Sequence, residues 1–205
     1  MGSLIGIVNI GLGNIDSVGR AVRYLGYEFK LCEVPGDLDS VDKIIFPGVG
    51  SFRAAVAILA ETTFDEAIKD QVLKGNKPIL GICLGMQLLA QHGSEDGGAD
   101  GLGLIGGHVE LHRGALEGVS IPHIGWNDVH HQGGELYKGI ESGTCFYFVH
   151  SYELLLDSVP PYVATANHGV DFIAGFEAGH IFGVQFHPEK SQEKGLQLLR
   201  NYIEY

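Results

Sequence analysis

The chain has 205 residues, of which 45% are hydrophobic and 19% charged, and its net charge at pH 7 is −12. That length suggests one domain, spanning 1–205, with a sizeable core, and so acidic a balance excludes a general attraction to phosphate backbones, so no nucleic acid is expected as a partner. No stretch approaches the ~20 apolar residues of a membrane span, no basic region precedes the apolar start as a secretory signal requires, and the three cysteines cannot all pair, so reduced thiols in the cytoplasm and no membrane are expected.

Leu4 to Asn9 is a short apolar run, as expected of a strand buried on both faces. Val18, Ala21, Val22 and Leu25 recur at helical spacing, and Gly26 stops that helix. Between them, Gly11-Leu12-Gly13 imitates the start of a dinucleotide fingerprint, but Asp16 stands where the third glycine belongs and would repel a pyrophosphate. Glu28 to Glu33 reads as a strand, as does Lys43 to Phe46, which runs into Pro47-Gly48-Val49-Gly50-Ser51-Phe52. Helical stretches follow up to Gly75. Ile79 to Ile82 is another buried strand, Leu84 to Gln91 a helix, and Gly93 to Gly107, with seven glycines, a flexible surface loop. After it, short strands are expected at His108 to Leu111, Cys145 to His150, Tyr162 to Ala166, Ile173 to Glu177 and Ile181 to Gln185. A closing helix, Gln192 to Tyr202, would face Leu196, Leu199 and Ile203 inward. The alternation predicts an α/β fold: a mostly parallel central sheet with helices on both faces, plus a small antiparallel extension whose last strands return to the main sheet.

Within this frame Cys83 has two readings. Free cysteine commonly packs as a small hydrophobe, and Cys32 and Cys145, on apolar strand patterns, are read as structural. Gly81-Ile82-Cys83-Leu84-Gly85, however, has the spacing of a nucleophile elbow, in which a tight strand-to-helix turn pushes the middle side chain out above the sheet edge. The following helix start would favour a thiolate, and the Leu84 amide could donate to an oxyanion. A base is available in Phe182-Gly183-Val184-Gln185-Phe186-His187-Pro188-Glu189, where His187 ends an apolar strand and Glu189, two residues on, can orient the imidazole. The glycines of Pro47 to Phe52 could supply the second oxyanion donor. No CxxC pair supports a metal site.

GICLGMQ, FHPEKS and FPGVGSF, at these distances, are similar to the motifs of class I (triad) glutamine amidotransferases over nearly the whole chain. Within that class, Ile121-Pro122-His123-Ile124-Gly125-Trp126-Asn127, Tyr147-Phe148-Val149-His150-Ser151-Tyr152 and Gly13-Asn14 with Ser17-Val18 resemble the glutaminase subunits of imidazole glycerol phosphate synthases in histidine biosynthesis. The resemblance implies a flavodoxin-like fold and no cofactor. It implies that Cys83 attacks the side-chain amide of L-glutamine, that His187 shuttles the proton and that Glu189 orients His187. The oxyanion would meet the amide of Leu84, beside Gly85, and one from Val49-Gly50, while Gln87, Ser151 and Tyr152 grip the amino-acid end. Ammonia would pass through a channel into a partner cyclase of (β/α)8 type, necessarily a separate chain because such a barrel alone takes ~250 residues. Asn14, Trp126, Asn127, Tyr147 and Lys190 resemble docking positions, with core packing of Trp126 as the alternative. The chain departs from the pattern at Asn9-Ile10, where those subunits usually carry Asp-Tyr. A related glutaminase that supplies ammonia to surface-polysaccharide or nucleotide-sugar amidation shares the motifs, and a catalytically dead scaffold or a cysteine peptidase of similar fold is the remaining alternative at this level.

Overall fold

The computed structural model describes residues 3–205. The first half alternates as its apolar runs predict: β1 (Ile5–Val8), α1 (Ile15–Tyr24), β2 (Phe29–Cys32), β3 (Lys43–Gly48), α2 (Phe52–Thr62), α3 (Phe64–Lys69), β4 (Ile79–Cys83) and α4 (Leu84–Leu88). The second half is strand-rich: β5 (His92–Gly93), β6 (Ala99–Asp100), β7 (Gly107–Leu111), β8 (His123–His131), β9 (Thr144–His150), β10 (Tyr152–Leu156), β11 (Tyr162–His168), β12 (Val170–Ala178), β13 (Ile181–Val184) and the closing α5 (Gln192–Glu204).

Among the described residues, nine strands form one sheet in the order β2-β1-β3-β4-β13-β12-β11-β8-β9. The first five are parallel, and β12, β11, β8 and β9 continue antiparallel. Because side chains alternate along a strand, Ile45, Leu80, Ile82 and Val184 join one core with Val18, Val22, Leu199 and Tyr202 of α1 and α5. Ile44, Phe46 and Ile79 join the other with Phe52, Leu59, Phe64 and Met86 of α2 to α4. The helices therefore cover both faces, as expected, and β13 returns to lie parallel beside β4.

Four features differ from the sequence reading. The antiparallel region is larger, since β8 and β10 are also strands and a second sheet, β10-β7-β5-β6, stands apart from the first. Gly93 to Gly107 is no free loop: Leu102 and Leu104 are buried, and the amides of Leu102 and Leu104 donate to the carbonyls of Leu88 and Leu89 at 2.8 Å. Helix α4 stops at Leu88, not Gln91, because the chain there turns to join this segment. Cys145 lies exposed on β9 with its Sγ 2.6 Å from Asp128 Oδ1, whereas Cys32 is buried, which pushes its thiol pKa up to about 11.

Among the glycines of the described residues, the one with least room for a side chain is in α4. A Cβ on Gly85 would lie 1.7 Å from the Phe46 carbonyl oxygen, and one on Gly81 would lie 2.6 Å from the Met86 backbone. Gly85→Ala should therefore destabilise the chain by about 3 kcal/mol or more, as overpacking against unyielding backbone does; urea denaturation of the purified variant measures this, and an unchanged midpoint would contradict it.

Candidate active site

β3, β4 and β13 are neighbours, and their carboxyl ends open on one sheet edge, where open α/β sheets place their sites. Cys83 is the last residue of β4, paired with Gly48 of β3. Its φ is 54°, a left-handed conformation that costs a non-glycine residue energy. The turn can be this sharp because both flanking positions are glycines, so the helix backbone packs directly on β3. Strain of this kind, at a strand-to-helix corner, is what a nucleophile elbow requires.

The pocket above it holds about 300 Å³ and is lined by Val49, Gly50, Cys83, Leu84, Gln87, Glu95, Pro122, Val149, His150, Ser151 and Tyr152. Every residue expected around glutamine thus lines it except Gly85, whose part is to let α4 approach the sheet. Gly50 has φ 107°. α4, with five residues, has a short dipole, so its contribution at Cys83 comes from the first-turn amides themselves.

Beyond β13 the chain bends at Gln185 and Phe186 and reaches His187, whose backbone is extended. Its Nδ1 lies 2.8 Å from Glu189 Oε1, with both side chains almost fully buried. A carboxylate partner at Nδ1 leaves Nε2 as the working ring atom, and Nε2 is buried without a hydrogen-bond partner among the described residues. The Cys83 thiol here donates to the Val149 carbonyl at 3.7 Å. Burial pulls the His187 pKa down, but Cys83 and the Glu189 carboxylate more than offset this, so the net direction is up. Asn14, expected at a docking surface, donates from Nδ2 to Glu189 Oε1 at 3.3 Å and so also braces the carboxylate from the start of α1.

Several site residues have no role assigned by the motifs. Gln185 is fully buried; its Nε2 donates to Cys83 Sγ at 3.7 Å, and its Oε1 accepts from Gln87 Nε2 at 3.0 Å. The one hint is a glutamine in an otherwise apolar run, FGVQF. Ser191 bridges His187 to β9, donating to the His187 carbonyl at 2.6 Å and accepting from the Tyr147 amide at 3.0 Å. Glu95 reaches the pocket from the segment read as a loop, with Oε2 accepting from the Phe52 amide at 2.6 Å. Trp126 is 49% exposed, which sets aside its core reading; its ring lies 6.0 Å from that of Tyr147, and Lys190 Nζ stands 5.8 Å over the Tyr147 ring.

Residues 7–204 match the family model described as Glutamine amidotransferase class-I. The chain belongs to this family. Similar chains include "Imidazole glycerol phosphate synthase subunit HisH 1" of Campylobacter jejuni, 44% identical over 98% of this chain and 99% of the relative, and "Imidazole glycerol phosphate synthase subunit HisH" of Moorella thermoacetica, 40% identical over 98% and 94%. Among solved structures, PurLQS from Thermotoga maritima superposes with a TM-score of 0.77 at 21% identity, covering 100% of this chain and 99% of that one. A putative GMP synthase chain from Thermoplasma acidophilum gives 0.74 at 23%, covering 100% and 94%. At these identities the structures establish the amidotransferase fold.

Behind the pocket, burial lowers the pKa of His150 to about 3 and that of His123 to about 4. An unfolded histidine protonates near 6.5. Between about pH 4 and 6.5 the unfolded chain therefore binds more protons, and stability rises with pH by up to about 1.4 kcal/mol per unit for each ring. His187, shifted upward, acts with the opposite sign only above that window. The melting temperature should accordingly fall as pH drops from 6.5 to 5; a flat profile would contradict the neutral assignment.

Proposed function

We propose that this chain is the glutaminase subunit of an imidazole glycerol phosphate synthase. It would hydrolyse L-glutamine to glutamate and ammonia, and it would hand the ammonia to a separate cyclase chain in histidine biosynthesis. The observation that carries the glutaminase reading is the convergence at one sheet edge of a strained Cys83, a buried His187–Glu189 pair at 2.8 Å and a pocket of amino-acid size. The names of the relatives, which match end to end at about 40% identity, support the pathway, and no observation favours the polysaccharide alternative.

The chemistry follows from the atoms. Cys83 Sγ swings from the Val149 carbonyl and attacks the carboxamide carbon while its proton passes to His187 Nε2. A ring hydrogen-bonded at Nδ1 to Glu189 is held in the right tautomer to take that proton and is stabilised as the imidazolium. The oxyanion would be met by the Leu84 amide and, after a backbone rearrangement of the glycine loop, by one from Val49-Gly50. Collapse breaks the C–N bond, His187 returns the proton to the leaving ammonia, and a cysteinyl thioester remains. Water, activated by the same imidazole, then releases glutamate.

The substrate carries an α-ammonium group, and the pocket offers acceptors for it. The two Gln87 Nε2 protons go to Tyr152 O and Gln185 Oε1, each at 3.0 Å, so Gln87 Oε1 is left as an acceptor. Glu95 supplies a carboxylate for the α-ammonium group. Trp126, Tyr147 and Lys190 form a half-exposed aromatic-cationic patch suited to anchor a partner, here a cyclase barrel in a heterodimer. Asn14, bonded to Glu189, is next to Lys190 through that contact, whereas Asn127 follows Trp126 but turns its side chain to His123 on the other face of β8. The chain would act as a single domain in the cytoplasm; no helix among the described residues is long and apolar enough to cross a membrane.

Cys83→Ala should abolish glutamine hydrolysis by the complex, a loss of at least about a thousandfold, while synthesis from added ammonia continues. Persistent hydrolysis would overturn the assignment of the nucleophile.

A further inference from the structure

Four histidines, His112, His123, His150 and His168, pack together at the pocket wall to which His150 contributes, and two of them form a chain whose proton positions are set from both ends. At the inner end, His150 Nδ1 faces the Tyr152 carbonyl at 2.9 Å, so it must carry the proton. His150 Nε2 is then an acceptor, and His123 Nδ1, 2.9 Å away, must donate to it. At the outer end, Asn127 Nδ2 faces the Asn167 carbonyl at 2.8 Å and its Oδ1 accepts from the Asp128 amide, which orients the amide group. Asn127 Nδ2 therefore donates its second proton to His123 Nε2 at 3.2 Å. Both ends independently require neutral His123 with its proton on Nδ1. The chain continues inward, because the Tyr152 carbonyl also accepts from Gln87, whose amide is tied through Gln185 to Cys83 Sγ.

We propose that His123 and His150 are positioning residues of the glutaminase reaction, forming a one-way hydrogen-bond strut that ties Asn127, next to Trp126 but facing the other side of β8, to the Tyr152 carbonyl and Gln87 in the glutamine pocket. The inference rests on the glutaminase reading above and adds to it the route by which the far side of β8 fixes the substrate wall. Two other histidines pack on the pair without bonding to it: His168 stacks on His123 with 4.2 Å between ring centres and donates from Nε2 to the Ser120 carbonyl at 2.9 Å, while His112 Nδ1 accepts from the Gly114 amide and its buried Nε2 has no partner among the described residues. The pair is nine-tenths buried or more, so water cannot replace a lost link, and the low pKa values of both rings keep the strut neutral.

The test is steady-state kinetics of the full chain in complex with its cyclase. His123→Phe keeps the ring stacked on Phe148 and His168 but removes both hydrogen bonds; His123→Asn retains a donor where Nδ1 stood. His123→Phe should raise KM for glutamine about tenfold, the scale of one broken buried hydrogen bond, with kcat within about twofold and ammonia-dependent synthesis unaltered. His123→Asn should recover most of that KM. An unchanged KM in His123→Phe, or equal impairment of both variants, overturns the strut. Should His123→Phe not fold, Asn127→Ala at saturating cyclase decides by the same rise in KM or its absence. Failure of the glutaminase reading is distinct: the unmutated complex would then not hydrolyse glutamine at all.

Discussion

The site depends on how closely α4 packs on β3. No side chain fits between the Gly85 Cα and the Phe46 carbonyl, so the helix backbone rests directly on the strand and Cys83 is forced to φ 54°. That one contact sets the height of the thiol above the sheet, the position of the Leu84 amide beside it and the direction in which α4 leaves. The strain at Cys83 is sustained because β3 and β13 flank β4 in register and both cores clamp the strand from either face. An elbow on an edge strand could relax; this one, inside a parallel array, cannot.

Polar groups dominate the next layer. Gln87, Gln185, His123, His150 and His187 are all buried, and each has a defined role in a hydrogen-bond network. Neutral imidazoles do well here because a ring with one donor and one acceptor can join two fixed groups at a lower desolvation cost than any charged side chain. His187 alone is pushed toward the charged form, by Glu189 and Cys83, which suits a ring that must accept a proton during turnover. One residue type thus divides into a working histidine and bracing histidines, and the dividing factor is whether a carboxylate lies against the ring.

The parallel half of the fold was legible because strands covered on both faces are written as continuous apolar runs, and the site was legible because an elbow needs two glycines and a triad needs a histidine with a nearby carboxylate. What escaped had the opposite character. β8, HIGWNDVHH, carries so many polar residues that no period-two pattern stands out, yet His123 is buried because β9, β11 and the neighbouring histidines satisfy its ring. The Gly93 to Gly107 segment has the composition of a free loop, but its few apolar residues, Leu102 and Leu104, and its carboxylates, Glu95 and Asp96, bind it to α4 and to the start of α2. Gln185 could not be assigned because a buried amide acquires meaning only from the partners that folding brings to it. Cys145 lies on β9 as its pattern predicts, and its exposure follows from a pairing with Asp128 of β8 that a strand pattern alone does not show.

The central claim is that Cys83, and neither of the other two thiols, is the nucleophile toward a glutamine side chain. The most direct measurement is peptide mass mapping after treating the complex with a diazoketone analogue of glutamine, in which an electrophilic carbon replaces the amide nitrogen. The account predicts stoichiometric modification of the peptide carrying Cys83, protection by excess glutamine and no labelling of buried Cys32 or exposed Cys145. Labelling of Cys145 instead, or of no cysteine at all, would contradict it.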